Sequence, residues 1–177
     1  MRTVEAHQRE IERHFRAMVP SPHLFDGIGM HHHDERLDIG IRYRGQIAEA
    51  GEPRVFLSNA QLNVLALAMF MSMGAKQHWS RLAVLLLDDP IQHLDDLDAV
   101  AFLDTLRAVA LGRFGARRQI VLSTCDKIVY RLMVQKFRLM EASGARFTAI
   151  SLLDGGTAGP TIQYDFGGPA ARQPRIA

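Results

Sequence analysis

Two short apolar runs, each ending in polar residues, constrain the fold of this chain more than any other feature. Residues 84–87 (VLLL) run directly into Asp88, Asp89 and a proline, and residues 120–122 (IVL) run into 123–126 (STCD). Continuous apolar runs of this length are typical of parallel strands that are covered on both faces. Helical periodicity surrounds them, over residues 58–77, 95–111 and 126–137. The alternation predicts an α/β fold, mainly a parallel sheet flanked by helices.

Length and composition bound the class of protein. The chain has 177 residues, of which 47% are hydrophobic and 23% charged, with a net charge of +2. These values fit one globular domain with a sizeable core and exclude a disordered or collagen-like chain. The single cysteine, Cys125, excludes an internal disulfide, and no apolar run reaches the roughly 18 residues of a membrane helix. We therefore expect a cytoplasmic protein without a membrane partner.

The order of patterns predicts three regions. Residues 3–18 are predicted to form an amphipathic helix with Val4, Ile11, Phe15 and Met18 on one side, and residues 37–45 alternate like a strand. Late strands are predicted over residues 147–154 and 161–166. We expect an N-terminal helical region over 1–19, an α/β lobe over 20–166 and a flexible tail over 167–177.

The helix predicted over residues 58–77 has a defined start. Ser58 followed by Gln61 has the form of a capping box, in which each side chain bonds the other's backbone N–H. An apolar stripe is predicted to face the core along this helix. It comprises Leu62, Leu65, Ala66, Met69, Phe70 and Met73.

Four short motifs follow one another in a fixed order: 57–61 (LSNAQ), 88–90 (DDP), 92–95 (QHLD) and 123–126 (STCD). A carboxylate at the end of a central strand can hold Mg²⁺ beside a nucleotide, and a neighbouring carboxylate can deprotonate water. A helix N-terminus with a serine hydroxyl can bind phosphate. The set predicts phosphate chemistry, although each motif alone is also explained as a helix cap or a strand end.

In their order and intervals the motifs resemble the C-terminal lobe of an ABC ATPase head of the SMC/RecN/SbcC type. Ser58 lies 30 residues before Asp88, and Cys125 lies 37 residues after it. The resemblance covers roughly residues 37–166 and implies a signature motif, a Walker B strand, a D-loop and a switch loop. Residues 3–18 would then be the last stretch of a returning coiled-coil arm.

The resemblance implies a role for each motif residue. Asp88 would be the Walker B magnesium ligand, and Asp89 would occupy the position of the catalytic base, which is usually Glu. The remaining residues would bind nucleotide or cross the interface between two heads. Ser58, Asn59 and Gln61 belong to the signature motif facing ATP on the opposite head, Asp95 to the D-loop and Cys125 to the switch position.

Several positions depart from the family pattern. Asn59 and Ala60 replace two glycines, Asp89 is shorter than Glu, and Cys125 replaces a histidine. No GxxxxGK(S/T) phosphate loop occurs in the 177 residues. We therefore expect ATP hydrolysis only when an N-terminal Walker A lobe, from the same or a companion chain, completes the site.

The resemblance further implies ATP and Mg²⁺ as cofactors, a homodimer through the heads, and DNA as a partner in repair, chromosome maintenance or defence.

Other interpretations remain open. The lobe is also explained as a non-catalytic dimerisation or interaction module with a degenerate ATPase fold, or as a DNA-binding module that uses its arginines. His31, His32 and His33 indicate either a metal site with Asp34 or, more simply, a polar loop. His93 as a substitute for the switch histidine and Cys125 as a nucleophile are weaker hypotheses.

Overall fold

The computed structural model describes residues 2–19, 26–33, 36–43, 46–47, 57–76, 81–112, 118–154 and 156–167. Its helices are α1 (Arg2–Met18), α2 (Asn59–Lys76), α3 (Asp96–Leu111) and α4 (Lys127–Phe137). Its strands are β1 (Gly27–His33), β2 (Arg36–Tyr43), β3 (Gln46–Ile47), β4 (Val84–Asp88), β5 (Gln119–Ser123), β6 (Ala149–Leu153) and β7 (Thr161–Phe166). The chain divides into two compact units, residues 1–125 and 126–177. None of the described helices combines the length and the apolar character that a membrane span requires.

The first unit contains an antiparallel sheet in the order β1-β2-β3. The strand predicted over 37–45 is confirmed for residues 37–43. The prediction that His31–His33 lie in a polar loop is wrong, because their backbone continues β1 and pairs with residues 36–38 of β2. Ladder hydrogen bonds use backbone groups, so a run of polar side chains does not end a hairpin strand. Asp34, the fourth residue of the metal interpretation, lies outside the described residues.

Helix α1 is part of the core of the first unit, where it packs against α2, α3 and β1. Its predicted apolar side is confirmed for Ile11, which is 1% exposed, and for Phe15 and Met18, which are fully buried. The side chain of Val4 lies outside the described part. His14 is buried on the same side, with Nδ1 3.3 Å from Ser72 Oγ and Nε2 3.4 Å from Arg13 Nη2. Since arginine only donates, Nε2 is the acceptor and Nδ1–H donates to Ser72. Burial, and then the charge of Arg13, lowers the pKa of His14.

Helix α2 buries a different face from the one predicted. Leu65 is buried as expected, but Phe70 is 44% and Met73 58% exposed. The buried face comprises Val64, Leu65, Ala68, Met71 and Ser72. Because α2 is apolar on nearly all sides, periodicity alone does not select a face, and contact with α1 selects it. Gly74 permits close packing on β4, since a Cβ there would lie 3.0 Å from Leu85 Cδ1.

Strands β4 and β5 form the predicted parallel pair, with Asp88 opposite Ser123. The predicted burial on both faces is not found within the described part of the chain. Leu85 and Leu87 are 5% and 6% exposed, whereas Leu86 on the opposite face is 66% exposed and Val121 is 42% exposed. Side chains alternate across a strand, so only one face of this pair is covered within the described residues. The other described sheets are antiparallel, and a mainly parallel sheet stays a prediction.

The second unit begins with helix α4. Asp126 caps it as its Oδ1 accepts from the backbone N–H groups of Ile128 and Val129, at 2.6 and 3.1 Å. Met133 and Phe137 are buried, whereas Ile128, in the first turn beside the cap, is 77% exposed. The predicted tail lies outside the described residues from position 168 onward.

The antiparallel pair β6–β7 follows α4 in the second unit. The Asp165 carboxylate accepts hydrogen bonds from Ser151, Tyr130 and Gln163. These bonds, that of Ser151 first, lower the pKa of Asp165. Burial and the bond to Asp165 raise the pKa of Tyr130. The network joins the hairpin to α4.

Candidate functional site

The predicted carboxylates lie at the end of β4, where β5 also ends. The Ser123 hydroxyl donates to Asp88 Oδ1 at 2.5 Å. The backbone N–H of Asp89 donates to the Ser123 hydroxyl and carbonyl oxygens, each at 3.2 Å. Parallel strands bring their carboxyl ends to the same edge of a sheet, which explains why the two motifs meet. The geometry confirms that residues 88–89 and 123–125 are neighbours.

Asp89 has an unusual backbone conformation. Its φ is 41°, in the left-handed region that residues other than glycine rarely adopt. Its carboxylate accepts from Thr124 Oγ1 at 3.3 Å and from Cys125 Sγ at 3.0 Å. Cys125 therefore contacts the side chain that the resemblance assigns as the base. A thiol is a weak donor, and this bond helps to orient the Asp89 carboxylate.

Asp88 suits a divalent cation. Its side chain is exposed, and its described hydrogen bond uses Oδ1 alone, which leaves Oδ2 as a ligand. Mg²⁺ in nucleotide sites is commonly held by one or two carboxylates together with phosphate oxygens and water. A complete protein cage is not needed, and the described residues contain no group of three or more His, Cys, Asp or Glu side chains that could form one.

The signature-like residues open helix α2, and their capping box is confirmed. Gln61 N donates to Ser58 Oγ at 3.2 Å, and Ser58 N donates to Gln61 Oε1 at 3.0 Å. Ser58 and Asn59 are exposed at the positive end of an 18-residue helix. Because Ser58 Oγ accepts in this pair, its own proton is available to a phosphate oxygen. The structure places these residues at the start of α2, where the bonds of the capping box are made within the helix end itself.

Asp95 is the N-cap of α3, where its Oδ1 accepts from Asp98 N at 2.8 Å. Two turns of the backbone connect Asp95 to Asp89. In the first, Gln92 N donates to Asp89 O at 3.3 Å, and in the second, Leu94 N donates to Ile91 O at 3.0 Å. Burial, and then the charge of Asp95, raises the pKa of Asp98. His93 is exposed in this connection.

Sequence reasoning missed Ser123 and Thr124 as partners of the carboxylates. Both residues lie within the fourth motif, in which the family resemblance assigns a role to Cys125 alone. Their signal was the parallel pairing itself, because aligning the polar ends of 84–88 and 119–123 puts Ser123 opposite Asp88.

Comparison with known proteins supports the fold. No protein-family model and no curated protein matches the sequence. A chain from a study of ATP-driven dimerization and DNA stimulated activation of SMC ATPases matches with a TM-score of 0.55 and 19% identity, over 93% of this chain and 86% of that one. An SmcHead bound to the C-winged helix domain of ScpA matches at 0.59 and 17% identity, over 93% and 43%.

The SMC head domain from Thermotoga maritima matches with a TM-score of 0.50 and 19% identity, over 90% of this chain and 47% of that one. The chain thus spans less than half of two of these head structures, and most of the first. At such identities the likeness shows the fold alone. This chain has the α/β fold of part of an SMC ATPase head.

Proposed function

We propose that this chain is the C-terminal lobe of an SMC-like ATPase that binds and hydrolyses ATP between two engaged heads. The observation that carries the proposal is the pair of consecutive carboxylates at the end of β4, held by the polar end of β5. The proposed roles are Mg²⁺ binding for Asp88, water activation for Asp89, contact with the opposite head's ATP for Ser58, Asn59 and Gln61, and an interface contact for Asp95.

The carboxylates would divide the chemistry between them. Mg²⁺ bound at Asp88 would supply positive charge to the phosphate oxygens. Asp89 would accept the proton of the attacking water at a carboxylate oxygen. Thr124 and Cys125 restrict the rotation of that carboxylate through their hydrogen bonds. Cys125 would then orient the carboxylate of the proposed base, Asp89, in addition to its proposed position near the terminal phosphate of ATP.

A second lobe would complete the site. The exposed Leu86 and Val121 leave one face of the β4–β5 pair uncovered in the described residues, and the sequence has no phosphate loop. Both observations support a Walker A lobe, from the same or a companion chain, that covers this face and binds the phosphates. We extend the proposal to a cytoplasmic homodimer that acts on DNA in repair, chromosome maintenance or defence, as in the SMC/RecN/SbcC proteins that its motifs resemble.

A non-catalytic dimerisation or interaction module is the second candidate function. Cys125 favours it, because a thiol replaces the switch histidine of the family pattern. Asn59 and Ala60 favour it too, because they replace two glycines and their Cβ atoms would lie where the backbone approaches phosphate closely. The carboxylate pair disfavours it, since an interaction module has no need for two held acids at a strand end.

We test the proposed engagement of the heads with Ser58→Asp in the ATPase completed by its Walker A lobe. Aspartate keeps a side-chain acceptor for the helix cap but brings negative charge toward the partner's phosphate, so ATP-dependent dimerisation should be lost. Sedimentation with and without ATP measures it. Ser58→Asn, which caps without a charge, is the matched control and should still dimerise.

Two outcomes would count against the proposal. If the Ser58→Asp protein dimerises with ATP as wild type does, Ser58 is not part of the proposed interface. A dimer that forms equally well without ATP, in an assembly that hydrolyses nothing, would favour the interaction module.

A further inference from the structure

We infer that Ser123 is a positioning residue for the proposed metal ligand, an inference that rests on the proposed function. Ser123 ends β5 directly opposite Asp88. Its hydroxyl donates to Asp88 Oδ1 at 2.5 Å and accepts from the backbone N–H of Asp89 at 3.2 Å. A serine hydroxyl has one proton, which Ser123 donates to the Asp88 carboxylate. A lone pair of the same oxygen accepts the hydrogen bond from the Asp89 N–H. One side chain therefore holds both acidic residues.

The two contacts have separate consequences. The bond to Oδ1 fixes the rotation of the Asp88 carboxylate and leaves Oδ2 to bind the cation. The bond from Asp89 N supports a backbone that has φ of 41°. Asp89 N also donates to the Ser123 carbonyl oxygen at 3.2 Å, so the strand pairing survives loss of the hydroxyl. Ser123→Ala thus removes the side-chain contacts while keeping the backbone pairing.

The test measures metal affinity directly. In the ATPase completed by its Walker A lobe and loaded with a non-hydrolysable ATP analogue, electron paramagnetic resonance reports the fraction of Mn²⁺ that is bound. We expect Ser123→Ala to weaken Mn²⁺ binding about 10-fold, the effect typical of removing a side chain that orients a metal ligand. Ser123→Thr keeps the hydroxyl and should restore affinity. Affinity for the analogue without metal should be the same in all three proteins.

Ser151→Ala is the matched control. Ser151 also donates its hydroxyl to an aspartate, Asp165, but in the second unit. The Ser151→Ala protein should bind Mn²⁺ like wild type. If Ser151→Ala weakens Mn²⁺ binding as much as Ser123→Ala does, the effect is general and the inference is wrong.

Asp88→Asn separates this inference from the proposed function. If Asp88→Asn loses Mn²⁺ and Ser123→Ala binds it like wild type, the positioning role is wrong and the metal assignment stands. If Asp88→Asn binds Mn²⁺ as well as wild type, the metal assignment fails, and the role of Ser123 fails with it.

Discussion

Replacing Asp89 by asparagine should lower the rate of ATP hydrolysis by about 10²- to 10⁴-fold, the usual contribution of a positioned general base. The experiment uses the ATPase completed by its Walker A lobe, with phosphate release as the measurement. Asparagine has nearly the same shape, keeps one of the two acceptor oxygens that Thr124 and Cys125 contact, and tolerates the left-handed backbone of this position. It cannot take a proton from water, so kcat should fall while ATP-dependent dimerisation persists.

Asp154→Asn provides the matched control for this substitution. Asp154 is an exposed aspartate of the second unit whose Oδ1 accepts from Gly156 N at 2.9 Å. An asparagine oxygen can make the same bond, and hydrolysis should be unchanged. If Asp89→Asn hydrolyses ATP as fast as this control, Asp89 does not activate water.

Replacing Phe15 by alanine should lower the free energy of unfolding of the chain by about 3–5 kcal/mol, the range for deleting a buried phenylalanine. Phe15 is fully buried in α1, which packs against α2, α3 and β1. The resemblance assigns α1 to the end of a coiled-coil arm, and the structure shows that this helix also belongs to the core of the first unit. Urea denaturation followed by circular dichroism measures the loss.

Phe70→Ala makes the same chemical change at an exposed site. Phe70 is 44% exposed on α2, so the loss there should be about 1 kcal/mol or less. Equal losses for the two variants would show that α1 contributes no more to stability than a surface position.

The helix starts were predictable because local side-chain chemistry determines them. Ser58 with Gln61, and Asp95 at the start of α3, cap their helices within a few residues of chain. The meeting of the two strand ends was predictable too, since apolar runs separated by a helix indicate parallel pairing. These features depend on neighbours in sequence or on one simple rule of topology.

Features that depend on tertiary packing were predicted poorly. The buried face of α2 follows from its contact with α1, and a helix that is apolar on almost all sides does not specify that face. The exposure of Leu86 and Val121 was not predicted. An apolar strand sequence indicates that both faces can be buried, but not whether the segment that covers each face belongs to the same chain. The contact of Cys125 with Asp89 depends on the backbone conformation at Asp89, for which an aspartate in sequence gives no signal.

The most direct test of the central claim is Mg²⁺-ATP binding by isothermal titration calorimetry, first to the 177-residue chain and then to its assembly with the Walker A lobe. The chain has the carboxylates and the signature-like helix start but no phosphate loop. We predict no saturable binding by the chain alone and clear saturation by the assembly. Tight ATP binding by the isolated chain would contradict the account, because it would show a nucleotide site that needs no second lobe.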